Sequence, residues 1–237
     1  MHIQVVEMND FLRFQKLAGW SAIFLTVATV INVITLFASV NYDSAVLFSD
    51  PTPLLFIGSR GASWFHWSMA FDILAYLSFT PIAIVCWNWF KSQRPNLVLL
   101  YTMCGVSYSL IGSIGAVLLG VAVPELANGY ATATATQQEA MKVFLNLFYH
   151  MIVQGVWNPL EILLLGIWFL GIGSFLRRER FVLGILTLII GGFAMLDALG
   201  WIIQIDLIFR IGVFGISLLI IWGAWFGINI LRRPIEI

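Results

Sequence analysis

Charged side chains are scarce in this chain. Asp, Glu, Lys and Arg make up 10% of its 237 residues, whereas about 25% is usual for a soluble domain. A globular protein with so few charges could not cover its surface with polar groups. The sequence is 60% hydrophobic, and its mean hydropathy is +0.94. We therefore exclude a water-soluble fold and expect the lipid bilayer to be the main partner of the chain.

The chain also lacks an excess of charge of either sign. Twelve basic residues balance twelve acidic residues, so no net positive field favours nucleic acid as a partner. Only two cysteines occur, Cys86 and Cys104, which is too few for a disulfide framework. Both are predicted to be small core residues. The segment 1–16 lacks the basic start and small-residue cleavage site of a signal peptide.

Recognisable catalytic and metal-binding motifs are missing. H-E-x-x-H, paired C-x-x-C and G-x-S-x-G do not occur. His150 and Glu161 would lie about 16 Å apart along one helix, too far to share a metal ion. The sequence therefore predicts no metal site and no cofactor. One alternative stays open, a haem held by His66 and His150 at the outer ends of two spans.

Long hydrophobic runs dominate the sequence. A bilayer core needs about 20 apolar residues per helix. Six such runs predict an all-α polytopic membrane protein, a bundle of six transmembrane helices in a single domain covering residues 1–237. The predicted spans are near 17–40, 64–90, 96–123, 143–175, 181–203 and 208–231.

Basic residues are distributed unevenly between the two sides of these spans. One side, which includes both termini, carries Arg13, Lys16, Lys91, Arg94, Arg177, Arg178, Arg180, Arg232 and Arg233. The other side carries Arg60, Lys142 and Arg210. Lys and Arg concentrate on the cytoplasmic side of membrane proteins. We therefore predict a multi-pass protein of the inner (plasma) membrane with both termini in the cytoplasm.

Small residues recur at helical spacing in spans three and six. They include Gly112, Ala116 and Gly120, and Gly223 with Gly227. Small side chains let helix backbones approach closely in lipid. We expect them to form contacts between spans of one chain or, alternatively, the seam of a homodimer.

The fourth span begins with an unusually polar stretch, HMIVQGVWNPLE, at residues 150–161. On an α-helix, one arc of about 120° collects the polar residues of this region. They are Asn146, His150, Gln154, Asn158 and Glu161. A polar group facing hydrocarbon costs several kcal/mol, so this stripe is expected to face the bundle interior or a water-filled cleft. Pro159 is expected to free the carbonyl of Gly155 and to kink the helix.

Acidic residues from three spans are predicted to lie at a similar depth. At about 1.5 Å per residue from the cytoplasmic edge, Glu161, Asp197 and Asp72 lie roughly 21, 24 and 27 Å into the membrane. Asn32 is predicted at the same level, Tyr76 and Gln204 share helix faces with the acids, and His66 and Arg210 lie at the outer headgroup level. Three carboxyl groups in a cleft of low dielectric cannot all stay ionised cheaply unless a cation lies among them. We therefore predict an acidic pocket open to the outside, with an all-oxygen cation site as an alternative.

Spans two, four and five resemble a family of uncharacterised bacterial six-helix membrane proteins that is described as a domain of unknown function. The resemblance is carried by AFDILAYL around Asp72, YHMIVQGVW around His150, the basic turn LRRERFVLG, and IGGFAMLDALG around Asp197. In that family an arginine often stands six residues before the acid of span two, where this chain has His66. The resemblance implies the six-helix fold and favours Asp72, His150 and Asp197 as site residues. It implies no activity.

Three classes of function fit these features. The leading hypothesis is a non-catalytic membrane protein that binds or passes a small polar or amphiphilic ligand, or protons, at the acidic pocket. The first alternative is an accessory or structural subunit of a larger membrane complex, in which the polar layer only specifies helix packing. The second is a membrane-embedded enzyme acting on lipid head groups, for which the sequence assigns no catalytic residue.

Overall fold

The structure is a computed structural model that describes residues 2–43, 50–205 and 217–232, with side chains from residue 10 onward. Throughout these ranges the regular structure is helical. The α-helices are α1 (His2–Ser39), α2 (Gly58–Phe90), α3 (Pro95–Tyr130), α4 (Ala135–Tyr149), α5 (Ile162–Glu179), α6 (Phe181–Ile202) and α7 (Leu218–Arg232). A short 3-10 helix, Thr52–Phe56, precedes α2, and a π-helix, His150–Glu161, connects α4 to α5.

In the described part of the chain, five helical segments are long and apolar enough to cross a membrane. They are Asp10–Ser39, Gly58–Phe90, Pro95–Tyr130, Ala135–Glu179 and Phe181–Ile202. Each contains most of one of the first five predicted spans, and most extend past the predicted limits because the helices continue beyond the apolar core. The predicted all-α, multi-pass membrane character is thereby confirmed. The predicted sixth span, 208–231, begins among residues outside the described part, and α7 covers the rest of it.

The helices pack as a closed ring that follows the chain order. Helix α2 packs between α1 and α3, and α3 contacts α4, the π-helix and α5. Helix α6 packs against α5 and the π-helix, and α7 contacts both α6 and α1. Short connections, such as the one between α5 and α6, place successive helices side by side in opposite directions. The last helix therefore closes the bundle against the first.

Polar contacts join four helices at one end of the bundle. Gln15 Nε2 of α1 donates to Ile230 O of α7 at 2.8 Å, and Arg180 Nη1 donates to Asn229 O of α7 at 3.2 Å. Trp89 Nε1 of α2 donates to Glu179 Oε2 of α5 at 2.6 Å. We call this the basic end, because the described basic residues of the predicted cytoplasmic side all belong to it. Arg60 and Lys142 belong to the opposite end.

Two hydrophobic clusters fill the bundle, one toward each end. The cluster toward the basic end is centred on aromatic rings of α2, α5 and α7. The ring centroid of Phe79 lies 4.7 Å from that of Trp168, and the Trp168 centroid lies 5.8 Å from that of Trp222. The second cluster, toward the opposite end, includes Phe65 of α2 and Leu119 of α3. Polar residues of α2, α3 and the π-helix lie between these clusters along the chain, and Asp197 of α6 follows the α6 residues of the first cluster. The core is therefore divided by a polar layer.

The small residues of α3 and α7 receive groups from neighbouring helices of the same chain. A Cβ atom added to Gly112 would meet the Tyr76 ring, and one added to Gly120 would lie 2.8 Å from Met69 Cβ. On α7, a Cβ atom added to Gly227 would lie 2.6 Å from Gly19 O of α1. The prediction of contacts between spans of one chain is confirmed at these positions.

Replacing Gly227 with alanine should destabilise the bundle, because the added methyl group would collide with the α1 backbone. Overpacking of this kind costs about 1–3 kcal/mol. Thermal unfolding in detergent should show a lower midpoint for Gly227→Ala. Gly192→Ala on α6 is the matched control, since nothing lies within 4 Å of a Cβ atom there. Equal midpoints for the two variants would contradict the close crossing of α1 and α7.

Candidate functional site

Glu161 is the central acid of the polar layer. It is the last residue of the π-helix, and only 2% of it is exposed. Its Oε1 atom accepts a hydrogen bond from Tyr76 Oη at 2.8 Å. Its Oε2 atom is buried and has no hydrogen-bond partner among the described residues. Buried polar atoms are nearly always satisfied, so this oxygen is suited to a proton or to a donor group of a bound molecule.

Asp197 presents a second buried acid from α6. It is 2% exposed, and its Oδ1 atom is buried without a partner in the described part of the chain. Glu161 is close enough to Asp197 and to Asp72 to interact electrostatically with both. Of the three acids, Glu161 is thus the one linked to each of the others. Ionising neighbouring acids in hydrocarbon is costly unless a cation or ligand joins them.

Asp72 differs from the other two acids because it is only half-buried. The Asn32 side chain of α1 lies beside the Asp72 carboxyl group. Asn32 Oδ1 in turn accepts a hydrogen bond from Ser68 Oγ at 3.1 Å, and Ser68 is fully buried. These three residues tie α1 to α2. Asp72 thus contributes to helix packing as well as to the polar layer.

The Tyr76 hydroxyl group is held in place by contacts between α2 and α3. Its ring lies on Gly112 and meets the Tyr108 ring edge-to-face at 5.3 Å. Ser109 Oγ donates to Tyr76 O at 2.6 Å. The absence of a side chain at Gly112 is what makes room for the ring that reaches Glu161.

The polar stretch of span four forms a π-helix of twelve residues, in which a backbone amide bonds five residues back. The amide of Ile162, for example, bonds to Trp157 O. In this pattern the carbonyl that loses its partner at Pro159 is that of Gln154, not that of Gly155 as the sequence predicted. Pro159 therefore accompanies a change of helix type. Most π-helices are single turns and are frequent at functional sites.

The predicted polar stripe does not face the interior along its whole length. His150 is exposed, Gln154 and Asn158 are half-buried, and only Glu161 is buried. A π-helix has more residues per turn than an α-helix. The rotation of about 100° per residue that places the five polar side chains on one face of an α-helix therefore does not apply here. The structure corrects the stripe to a gradient that runs from the exposed end of the π-helix inward to Glu161.

The two histidines of the sequence prediction lie apart from the buried acids, toward the end of the bundle opposite the basic end. His66 Nδ1 contacts Gly120 O at 3.1 Å, and His150 Nδ1 contacts Asn146 O at 2.7 Å. His150 also interacts electrostatically with Asp50. Hydrogen bonds from the side chain and backbone of Thr52 lower the pKa of Asp50, which keeps this carboxylate anionic near His150.

One supporting residue of the prediction lies away from the acids, and another is not described. Gln204 is exposed, with a positive φ of 55°, and Arg210 falls outside the described residues. Gln154 and Asn158 contact each other, with Asn158 Nδ2 donating to Gln154 Oε1 at 3.4 Å. Within the described residues, no three His, Cys, Asp or Glu side chains are grouped so that they could hold a metal ion.

Sequence reasoning missed two aromatic residues at the site. Tyr108 packs on Tyr76, and Trp157, one turn before Glu161, lies against Gly115. The indole Nε1 of Trp157 is buried without a partner in the described chain, so the layer holds an unpaired donor as well as unpaired acceptors. The sequence spacing could have indicated Tyr108, because it lies one helical turn before Gly112 and therefore on the same face of α3.

Replacing Tyr76 with phenylalanine should lower the free energy of unfolding by about 1–3 kcal/mol, since Oε1 of the buried Glu161 would lose its donor and the described residues would then satisfy neither oxygen. Denaturation in mixed micelles measures this difference. Tyr108→Phe is the control, because the Tyr108 hydroxyl group forms no hydrogen bond with the described residues. If both variants lose the same stability, the Tyr76–Glu161 hydrogen bond is not a specific support of the site.

Comparison with known proteins gives one result for this chain. Residues 17–232 match the family model described as a domain of unknown function, DUF4386. No curated protein and no solved structure matches the chain. The match extends from α1 to the end of α7 and includes Asp72, Glu161 and Asp197. On this evidence the chain belongs to the DUF4386 family.

Proposed function

We propose that this protein binds a small polar or amphiphilic ligand, or passes protons, at the layer of buried acids. In this proposal it spans the inner membrane six times, and both termini lie in the cytoplasm. It acts without a cofactor, and its acid layer is reached from the outer side. Asp72, Glu161 and Asp197 form the layer, and Gln154 and Asn158 line the route to it.

The topology is supported by the distribution of charge and by α7. The basic end carries most of the described Lys and Arg side chains, and such residues concentrate on the cytoplasmic side of membrane proteins. Helix α7 is apolar and ends at Arg232, and its contacts with α1 and Arg180 bring its end to the basic end. A sixth crossing that begins before α7 would account for this position.

The observation that carries the proposal is the pair of unsatisfied oxygens, Glu161 Oε2 and Asp197 Oδ1. Each is buried and lacks a donor among the described residues, and the two acids interact electrostatically. A buried acceptor without a donor costs about 1–3 kcal/mol. A proton, an ammonium group or a ligand hydroxyl group would remove that cost. Intramembrane acids typically mark ion or substrate pathways for this reason.

The gradient of exposure along the π-helix supports access from one side. His150 is exposed, Gln154 and Asn158 are half-buried, and Glu161 is buried. These polar side chains offer successive hydrogen-bonding positions between the surface and the acid. This order of exposure favours entry of a ligand or proton from the end of the bundle opposite the basic end.

Glu161→Gln and Asp197→Asn test the proposal. Each change removes an exchangeable carboxyl group while keeping its size, so we expect proton flux or ligand retention to fall roughly tenfold. Proton uptake into vesicles containing the protein and a trapped pH-sensitive dye measures the flux. Native mass spectrometry of the purified protein measures retained small molecules.

Glu125→Gln is the matched control for these variants, because Glu125 is an exposed acid on α3. It should behave like the wild type in both measurements. If the folded Glu161 and Asp197 variants also match the wild type, the acids have no ligand or proton role.

A second candidate function is an accessory subunit of a larger membrane complex, in which the polar layer only sets helix packing. The contact of Asp72 with Asn32, which ties α1 to α2, favours this candidate. Purification in mild detergent distinguishes the two. A stoichiometric partner supports the subunit, whereas a monomer or homodimer argues against it. The enzyme acting on lipid head groups stays a prediction from the sequence.

A further inference from the structure

A polar cleft lies at the basic end, apart from the acid layer. It has a volume of about 230 Å³, far more than one water molecule needs. Its polar lining comes from the α2–α3 turn, the first turns of α3 and the last turns of α5. The polar side chains that line it are Gln93, Arg94, Tyr101, Ser174 and Arg178.

Two arginines give the cleft positive charge. Arg94 and Arg178 are both exposed, and in the described ranges neither forms a salt bridge. The nearby acid, Glu179, is engaged otherwise: its Oε2 accepts from Trp89 Nε1 at 2.6 Å and its Oε1 accepts from Gln93 Nε2 at 3.1 Å. The two guanidinium groups are therefore available to an anion.

The local backbone adds to this preference for an anion. Helix α3 begins at Pro95, directly after Arg94. The first turn of a helix presents amide groups and a partial positive charge to negatively charged groups. The two arginines and the first turn of α3 therefore both place positive charge at the cleft.

Apolar side chains adjoin the charged part of the cleft. Phe175 and Leu97 complete its lining, and Leu97 is 39% exposed. Leu100, one turn further along α3, is 52% exposed. Tyr101 lies against Gly171 of α5, which closes the cleft on its inner side. An anionic head group in the cleft could therefore continue into an acyl chain along exposed leucines of α3.

We propose that this cleft binds the phosphate group of an anionic phospholipid in the leaflet at the basic end. Guanidinium groups bind phosphate through paired, charge-assisted hydrogen bonds, and Tyr101 supplies a hydroxyl group beside them. The exposed leucines favour a lipid over a soluble phosphate, since only a lipid has chains to cover them. The inference does not depend on the function of the acid layer.

The test is a titration of the full-length protein with phosphatidylglycerol, followed by native mass spectrometry. The double variant Arg94→Gln/Arg178→Gln should bind this lipid roughly tenfold more weakly than the wild type, because both charge-assisted contacts are lost. Lys91→Gln/Arg177→Gln is the matched control. It removes two charges from the same end at residues that do not line the cleft, and it should bind like the wild type.

Two further probes separate a lipid from other anions. Phosphatidylcholine, whose head group has no net charge, should bind more weakly than phosphatidylglycerol. Inorganic phosphate should compete only weakly. The proposal is overturned if both double variants lose affinity equally, if the wild type does not prefer phosphatidylglycerol, or if inorganic phosphate binds as well as the lipid. Thermal unfolding of each variant confirms that the compared proteins are folded.

Discussion

A carboxyl group placed in hydrocarbon must find a partner, and much of this structure follows from that constraint. Glu161 obtains one hydrogen bond from Tyr76. Tyr76 reaches it because its ring lies over Gly112 and its backbone is held by Ser109. Helices α2, α3 and the end of the π-helix are thereby fixed relative to one another. A glycine on one helix and an acid on another are parts of the same arrangement.

The polar layer combines a structural part and a chemically open part. On the side of α1, Asn32 lies beside Asp72 and accepts a hydrogen bond from Ser68, which links α1 to α2. Toward α6, Glu161 and Asp197 keep oxygen atoms that the described residues do not satisfy. The hydrophobic clusters on either side hold the layer in place, because aromatic packing there leaves the helices little freedom to separate. This division explains why the same layer supports both helix packing and a proposed binding role.

The two proposed sites have opposite electrostatic character. At the basic end, Glu179 is engaged by Trp89 and Gln93, which leaves Arg94 and Arg178 free to attract anions. Toward the other end, the polar π-helix leads inward to buried acids. A cationic or proton-donating species would be favoured at the acids and an anionic head group at the arginines. The proposed sites therefore differ in both ligand and membrane side.

The sequence by itself determined the all-helical membrane character, the first five apolar segments and the identities of the acids, because burial in lipid requires long apolar runs and makes each intramembrane charge conspicuous. Hydrophobic periodicity could not reveal the π-helix, since its residues per turn differ from those of the α-helix on which the periodicity is based. Only the tertiary structure decided that Tyr76 donates to Glu161, that Asn32 lies beside Asp72 and that His150 stays at the surface. Those outcomes depend on which helices become neighbours and how closely glycines let them approach.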